Sequence, residues 1–184
     1  MVVPFWKLAA SKCPPPFPIG ITGGWRLSRE KWFTTMRKTM FFGKYTLLLS
    51  EESQLILPSN YREAMGHVAY VTQGFDRNLF LLSEKAFTAI YSHVQATSIS
   101  DPLARLLSRL FLGGAAEITV NGSGKIELPF RLCEYAGLIK EIILVGQGEY
   151  LELWSPALWH KQMESLNDDD ANAQRFEKFH VSIA

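Results

Sequence analysis

Cysteine is nearly absent from this chain. The two present, Cys13 and Cys133, lie far apart in dissimilar surroundings, so a disulfide framework is not indicated and a reducing cytoplasm is the simplest home. Long apolar runs are missing too. Leu47–Leu49 and Ile142–Val145 are strand-length, well short of the roughly 18 residues a membrane helix needs, and no membrane partner is expected. Histidine is sparse: His67, His93, His160 and His180 show no ligand spacing with one another or with Cys133, so no metal is expected. There is no P-loop, nucleophile elbow or Cys–His arrangement, and Gly146-x-Gly148 lacks the rest of a dinucleotide fingerprint. With that chemistry missing, neither an enzyme nor a cofactor is expected. Asp168-Asp169-Asp170 reads as part of a solvated acidic tail rather than a cation site.

The N-terminus also lacks what export requires. Met1–Ala10 is short and broken by Pro4 and Lys7, and Cys13 follows Lys12 where a lipoprotein cleavage site needs a small residue. What is there is a chain of 184 residues with an ordinary apolar fraction of 47% and a charged fraction of 20%, enough for one compact body or two small units sharing a core. The net charge of +1 conceals a split. Residues 1–39 carry seven of the 19 Lys/Arg and one of the 18 acids, which leaves 12 basic and 17 acidic residues beyond them, a net of −5. An acidic folded part argues against an extended basic face for nucleic acid.

Residues 1–39 differ from the rest. Pro14, Pro15, Pro16 and Pro18 precede Gly20, Gly23 and Gly24 without a sustained period, which reads as an irregular extension with at most a short amphipathic turn at Trp32–Met36. From Met40 the pattern becomes regular. Tyr45–Leu49 and Gln54–Leu57 are strand-like about a turn at Ser50–Ser53, and Ser59–Met65 suits a short helix ended by Gly66. Val68–Gln73 and Leu79–Leu82 follow as strands, and Ser83 caps a helix running toward His93.

The second half repeats this order. Ala116–Val120 and Lys125–Leu128 flank the hairpin signal Asn121-Gly122-Ser123-Gly124. Phe130–Ala136 is the short helix, Glu141–Val145 and Tyr150–Trp154 are strands, and Ser155-Pro156 opens the last helix. Leu55/Ile126, Leu57/Leu128, Pro58/Pro129, Glu63/Glu134 and Gly66/Gly137 are each 71 apart; Leu79/Leu151, Leu81/Leu153, Ser83/Ser155 and Phe87/Trp159 are 72 apart. The spacing implies two copies, 44–87 and 115–159, joined by a helical linker at 88–114 and followed by a helix end and acidic tail at 160–184. One hairpin cannot bury its apolar face alone, so a pseudo-twofold barrel completed between the copies is expected. In the linker, Asp101 is an N-cap with Pro102 at the first helical position, and Gly113-Gly114 ends the helix. Leu103, Leu106, Leu107 and Leu110 form one apolar stripe expected to pack, with Arg105 and Arg109 on another face.

Met40-Phe41-Phe42-Gly43-Lys44-Tyr45, Leu55-Ile56-Leu57-Pro58 and Tyr61-Arg62-Glu63 resemble the first half of the bacterial MraZ proteins. Leu112-Gly113-Gly114-Ala115-Ala116-Glu117, Glu134-Tyr135-Ala136-Gly137-Leu138, Leu144-Val145-Gly146 and Glu152-Leu153-Trp154 with Trp159 resemble the second, so the likeness runs from Met40 to about Ser165. It implies an α+β, β-rich fold of two tandem swapped-hairpin units of the SpoVT-AbrB type, with linker and C-terminal helices. It further implies a ring-forming homo-oligomer in the cytoplasm, associated with the nucleoid. Such proteins regulate transcription by binding double-stranded DNA at short direct repeats in the promoter of the division and cell-wall gene cluster. Members of the family begin near the Met-Phe that here is Met40-Phe41, so residues 1–39 are expected to come from an upstream start assigned in error, with Met36 or Met40 the natural start.

The resemblance also implies Asp-x-x-x-Arg across the first hairpin turn of each copy, and here this chain departs from the pattern. The first copy reads Ser50-Glu51-Glu52-Ser53-Gln54 and the second Asn121-Gly122-Ser123-Gly124-Lys125. Ser50 and Asn121 can still make turn-type side-chain bonds. Gln54 has lost the charge, though its amide could pair with adenine. Lys125 keeps a charge without the bidentate fork. Glu51 and Glu52 put two carboxylates where a phosphate would approach. Cys133 stands where the family usually has arginine and is expected to be a buried or semi-buried reduced thiol rather than a nucleophile. The candidate DNA contacts are therefore Lys125, Asn121 and Arg131 in the second copy, and Gln54, Ser50 and Lys44 in the first. The second hairpin is the better of the two. The alternative is an oligomeric protein that keeps the fold but acts through a protein partner.

Overall fold

A computed structural model describes residues 40–167, 169–177 and 179. The chain divides into two units: Met1–Phe33 lies outside the described residues, and Thr34–Ala184 holds all of them. The expectations for 1–39, Trp32–Met36, Cys13 and His180 fall outside what is described.

The described residues form eight strands: β1 (Phe41–Leu48), β2 (Gln54–Ile56), β3 (Val68–Gln73), β4 (Leu79–Ser83), β5 (Ala116–Thr119), β6 (Lys125–Glu127), β7 (Glu141–Gly148) and β8 (Tyr150–Trp154). With them are six helices: α1 (Ser59–Met65), α2 (Glu84–Gln95), α3 (Pro102–Gly114), α4 (Phe130–Ala136), α5 (Pro156–Glu164) and α6 (Asp169–Glu177). The architecture is mixed α+β, rich in strands, and every strand pairing is antiparallel. One sheet runs β1-β7-β8-β4-β3-β5, while β2 and β6 form a separate ribbon. No closed barrel is seen among the described residues, because β1 and β5 stand at the two edges of the larger sheet.

The ladders cross between the copies. β1 pairs with β7 and β5 pairs with β3, so an early strand lies beside a late one at each edge of a single sheet. The ribbon pairs Gln54 with Glu127 and Ile56 with Lys125 about Leu55–Ile126, and β4 pairs with β8 through Leu81–Leu151. Because side chains alternate along each strand, Leu55 and Ile126 point inward while their neighbours face out. The inner layer joins Leu55, Leu57, Ile126 and Leu128 to Tyr61 and Met65 of α1, Leu132 and Ala136 of α4, and Leu79, Leu81, Leu151 and Leu153 of the sheet. This burial of apolar surface is the main force holding the copies together.

The outer sheet face is covered differently in each half. Over the first, α2 and α3 pack around Phe80, Leu82 and Phe111, with Tyr70 and Phe87 stacked at 4.1 Å between ring centroids. Over the second, Ile143, Val145 and Trp154 meet Leu158 and Trp159 of α5. Two expectations change here. Helix α3 begins as expected, the Asp101 carboxylate accepting the Leu103 N–H at 2.9 Å. Its packing face, however, is Ala104, Leu107 and Phe111, and Leu103 and Leu106 are 72% and 58% exposed. Phe111 sets that rotation: its ring lies 5.8 Å from that of Phe80 and its carbonyl accepts the buried Thr72 hydroxyl at 2.7 Å. Secondly, the stretch read as an acidic tail contains α6. Alanine, glutamine and arginine there favour helix, and neither glycine nor proline interrupts it.

Glu152, on the outer face of β8, accepts hydrogen bonds from the Trp154 indole at 3.0 Å and the Gln147 amide at 3.2 Å. Burial holds its carboxyl above the ordinary value of 4.5, and Asp76 adds repulsion against the hydrogen bonds that favour the charge. A raised folded pKa means the native state binds a proton that the unfolded chain has released. That contribution is complete below pH 4.5 and fades as pH rises through the folded value. Glu152→Gln is therefore expected to raise the melting temperature at pH 7 and leave it nearly unchanged at pH 4, compared by thermal melts of both proteins.

Candidate nucleic-acid interface

The two hairpin turns share one hydrogen-bonded design. In the first, the Gln54 N–H reaches the Ser50 hydroxyl at 3.1 Å, the Ser50 N–H donates to the Gln54 carbonyl at 2.9 Å, and the Ser53 N–H donates to the Ser50 carbonyl at 3.0 Å. In the second, the Lys125 N–H reaches Asn121 Oδ1 at 2.8 Å, the Asn121 N–H donates to the Lys125 carbonyl at 3.1 Å, and the Gly124 N–H donates to the Asn121 carbonyl at 2.9 Å. Asn121 Oδ1 also accepts the Ser123 N–H and hydroxyl. In both turns the fourth residue adopts positive φ, Ser53 at 57° and Gly124 at 82°. Ser50 and Asn121 thus still shape the turn, as their short polar side chains allow.

The turns are also tied to each other. The Leu57 N–H donates to the Gly124 carbonyl at 2.8 Å, and the Leu128 N–H to the Ser53 carbonyl at 2.9 Å. Each copy contributes one side chain to the other's turn. Arg62 lies against Gly124 and donates from Nε to the Leu57 carbonyl at 3.1 Å. Cys133, 71 residues later, is buried, and the Ser53 side chain favours its thiolate. Burial outweighs that influence and pushes the thiol up, which makes it a poor nucleophile.

Gln54 and Lys125 emerge on the outward side of the ribbon. Gln54 is half-buried, and its amide donates to Glu127 at 3.3 Å, so its hydrogen-bonding edge is already engaged. Lys125 is exposed opposite Ile56. Beside the ribbon runs a groove of about 560 Å³ lined by Gln54, Glu117, Thr119, Asn121, Lys125 and Glu127 among others. Glu117 on its wall accepts the Tyr70 hydroxyl at 2.9 Å. Glu51 and Glu52 are exposed at the tip of the first turn. In this groove Lys125 faces Glu117 and Glu127 rather than a wholly basic surface.

The structure therefore brings together Ser50, Gln54, Asn121 and Lys125 in the paired hairpins, and leaves the other two candidates elsewhere. Arg131 donates to the Gly114 carbonyl at 3.1 Å, at the C-terminal end of α3, where a cation meets free helix carbonyls. Lys44 lies over the Trp159 ring, 5.9 Å from its centroid, on the outer sheet face. Residue-by-residue reading missed Glu127 and Arg62. The 71-residue offset carried the signal for Glu127, because a twofold ribbon centred on Leu55–Ile126 must set Gln54 opposite Glu127. No helix of the described residues is long and apolar enough to cross a membrane.

The sequence model of a family described as "MraZ protein, putative antitoxin-like" matches residues 111–180. A transcriptional regulator MraZ of Carboxydothermus hydrogenoformans is 36% identical over 121 residues, which is 66% of this chain and 85% of the relative. The transcriptional regulator MraZ of Dictyoglomus thermophilum is 30% identical over 145 residues, 79% of this chain and 97% of the relative. That of Thermomicrobium roseum is 37% identical over 127 residues, 69% of this chain and 89% of the relative. Identity at this level over 85%, 97% and 89% of the three relatives means that the chain belongs to the MraZ family.

Proposed function

We propose that this protein is a DNA-binding transcriptional regulator whose main contact is the second hairpin, Asn121–Lys125. One observation carries the reading. Both turns are closed by hydrogen bonds from the fourth and fifth residues to the first and place their fifth residue on the outward side, yet only the second has a cation there. A preorganised turn delivers Lys125 to a phosphate without an ordering cost, as a point charge rather than a base-reading fork. Asn121, Ser50 and Gln54 hold the turns, while Lys44 and Arg131 support neighbouring elements. The names of the relatives support regulation of transcription.

The finer reading follows the exchange of β1 and β5. The copies at 44–87 and 115–159 are swapped-hairpin units of the SpoVT-AbrB type, with 88–114 as the linker. One subunit supplies few cations, so a ring of subunits acting on direct repeats gains affinity through avidity. The targets are promoter repeats of the division and cell-wall cluster, met in the cytoplasm at the nucleoid. A second reading is favoured by Glu51, Glu52, Glu117 and Glu127 around the hairpins: the assembly acts through a protein partner and binds DNA feebly.

The test is a titration of the full chain with its own upstream promoter DNA at two salt concentrations. Sequence-specific, salt-sensitive binding is expected. Lys125→Ala is expected to weaken it several-fold or more and to reduce the salt slope by about one for each phosphate no longer neutralised. Binding indifferent to salt and sequence would sink the regulator and leave the partner reading.

A further inference from the structure

We infer that Arg62, a residue of the first copy, positions the second hairpin for nucleic acid; this deepens the DNA-binding reading and rests on it. Arg62 projects from α1 across the copy boundary. Its Nε donates to the Leu57 carbonyl at 3.1 Å, and the Leu57 N–H in turn donates to the Gly124 carbonyl at 2.8 Å. The side chain also lies against Gly124. A β-carbon added there would come within 2.3 Å of Arg62 Nε, 2.8 Å of Cδ and 3.0 Å of Cγ. Gly124 combines this close approach with φ of +82°, so the position favours glycine on two independent grounds.

Lys125 follows Gly124 directly, and its N–H is one of those bound by Asn121. Arg62, Leu57, Gly124 and Asn121 therefore form a continuous support under the lysine. The first hairpin has a weaker counterpart. There the counterpart of Arg62 is Cys133, whose short buried thiol has neither a guanidinium nor a stem to lie on the turn. The asymmetry between hairpins thus extends beneath the surface. The turn that carries the cation is the one braced by an arginine. Lysine cannot replace it, since it lacks the planar guanidinium that donates from Nε while its stem covers the glycine.

The test uses the full chain with Arg62→Lys, Arg62→Met and Gly124→Ala. Promoter DNA affinity is measured beside amide hydrogen exchange at Leu57, Gly124 and Lys125. Both Arg62 variants are expected to bind about tenfold more weakly, the scale of one hydrogen bond from a charged group, with faster exchange at those three amides. Gly124→Ala is expected to lose affinity with the Arg62 charge intact, and to lose less in an Arg62→Met background, because strain at φ cancels in that cycle. Full binding by Arg62→Lys would show that charge alone matters and overturn the inference. Unchanged exchange in Arg62→Met would overturn it as well. If the wild-type chain binds no DNA, the regulator reading fails; the exchange data still decide whether Arg62 braces the turn.

Discussion

Gly146→Ala is expected to destabilise the fold by about 3 kcal/mol, the scale of an overpacked core site whose neighbours cannot yield. Gly146 sits in β7 opposite Gly43 of β1. Gly43 has φ of +95° and bends β1 so that the backbone of Phe41 and Phe42 passes over Gly146. An added β-carbon would meet the Phe41 carbonyl carbon at 2.4 Å, its oxygen at 2.5 Å and the Phe42 nitrogen at 2.5 Å. All three are backbone atoms in a paired strand, so relief requires β1 to move away from β7. That separation also pulls Phe41 from the core, where its ring meets Tyr61 edge-on at 5.4 Å between centroids. Tyr61 further donates to the Phe42 carbonyl, and burial pushes its phenol up to about 12, with repulsion from Tyr45 adding to the shift. For a chain of this size the expected fall in melting temperature is about 10 °C. A melt unchanged from wild type would mean that β1 does not hold the copies together as described.

The double charge reversal Glu51→Lys/Glu52→Lys is expected to raise DNA affinity by tens of fold at moderate salt. Each new phosphate contact steepens the salt dependence by about 0.9 in the logarithmic slope. Both glutamates are exposed at the tip of the first turn, and the turn's hydrogen bonds run through Ser50, Ser53 and Gln54. The substitution therefore changes charge while leaving the scaffold in place. It asks whether the first hairpin reaches DNA at all. Fluorescence titration at two salt concentrations decides: unchanged affinity and slope would put that turn away from the nucleic acid and leave the second hairpin alone to meet it. If both quantities rise, the acidic tip of the natural protein acts as a brake on binding.

Much of this molecule was legible in the amino-acid order. The short helices Ser59–Met65 and Phe130–Ala136 stand where local signals put them, because proline before and glycine after each leave little freedom at their ends. The strands Val68–Gln73 and Tyr150–Trp154 likewise agree with their apolar runs. The two turns share a pattern of hydrogen bonds: in Ser50–Gln54 and Asn121–Lys125 the first residue's side-chain oxygen accepts the fifth residue's N–H, and its carbonyl accepts the fourth's. The candidate site was legible only in part. Spacing identified the paired turns, while Lys44 and Arg131 were chosen for their charge, and charge says nothing about where a side chain finds a partner.

The sequence by itself determined the order of elements and the unequal chemistry of the two turns, since both depend on neighbours a few residues away. Tertiary structure decided what lies across the gaps. It paired β1 with β7 and β5 with β3, and turned Leu103 and Leu106 outward so that Phe111 could be buried. It also laid Arg62 on Gly124, a meeting of residues 62 apart that no local pattern encodes. Such meetings depend on which chain segments come together after burial of the core, and that choice is made by the whole sheet at once.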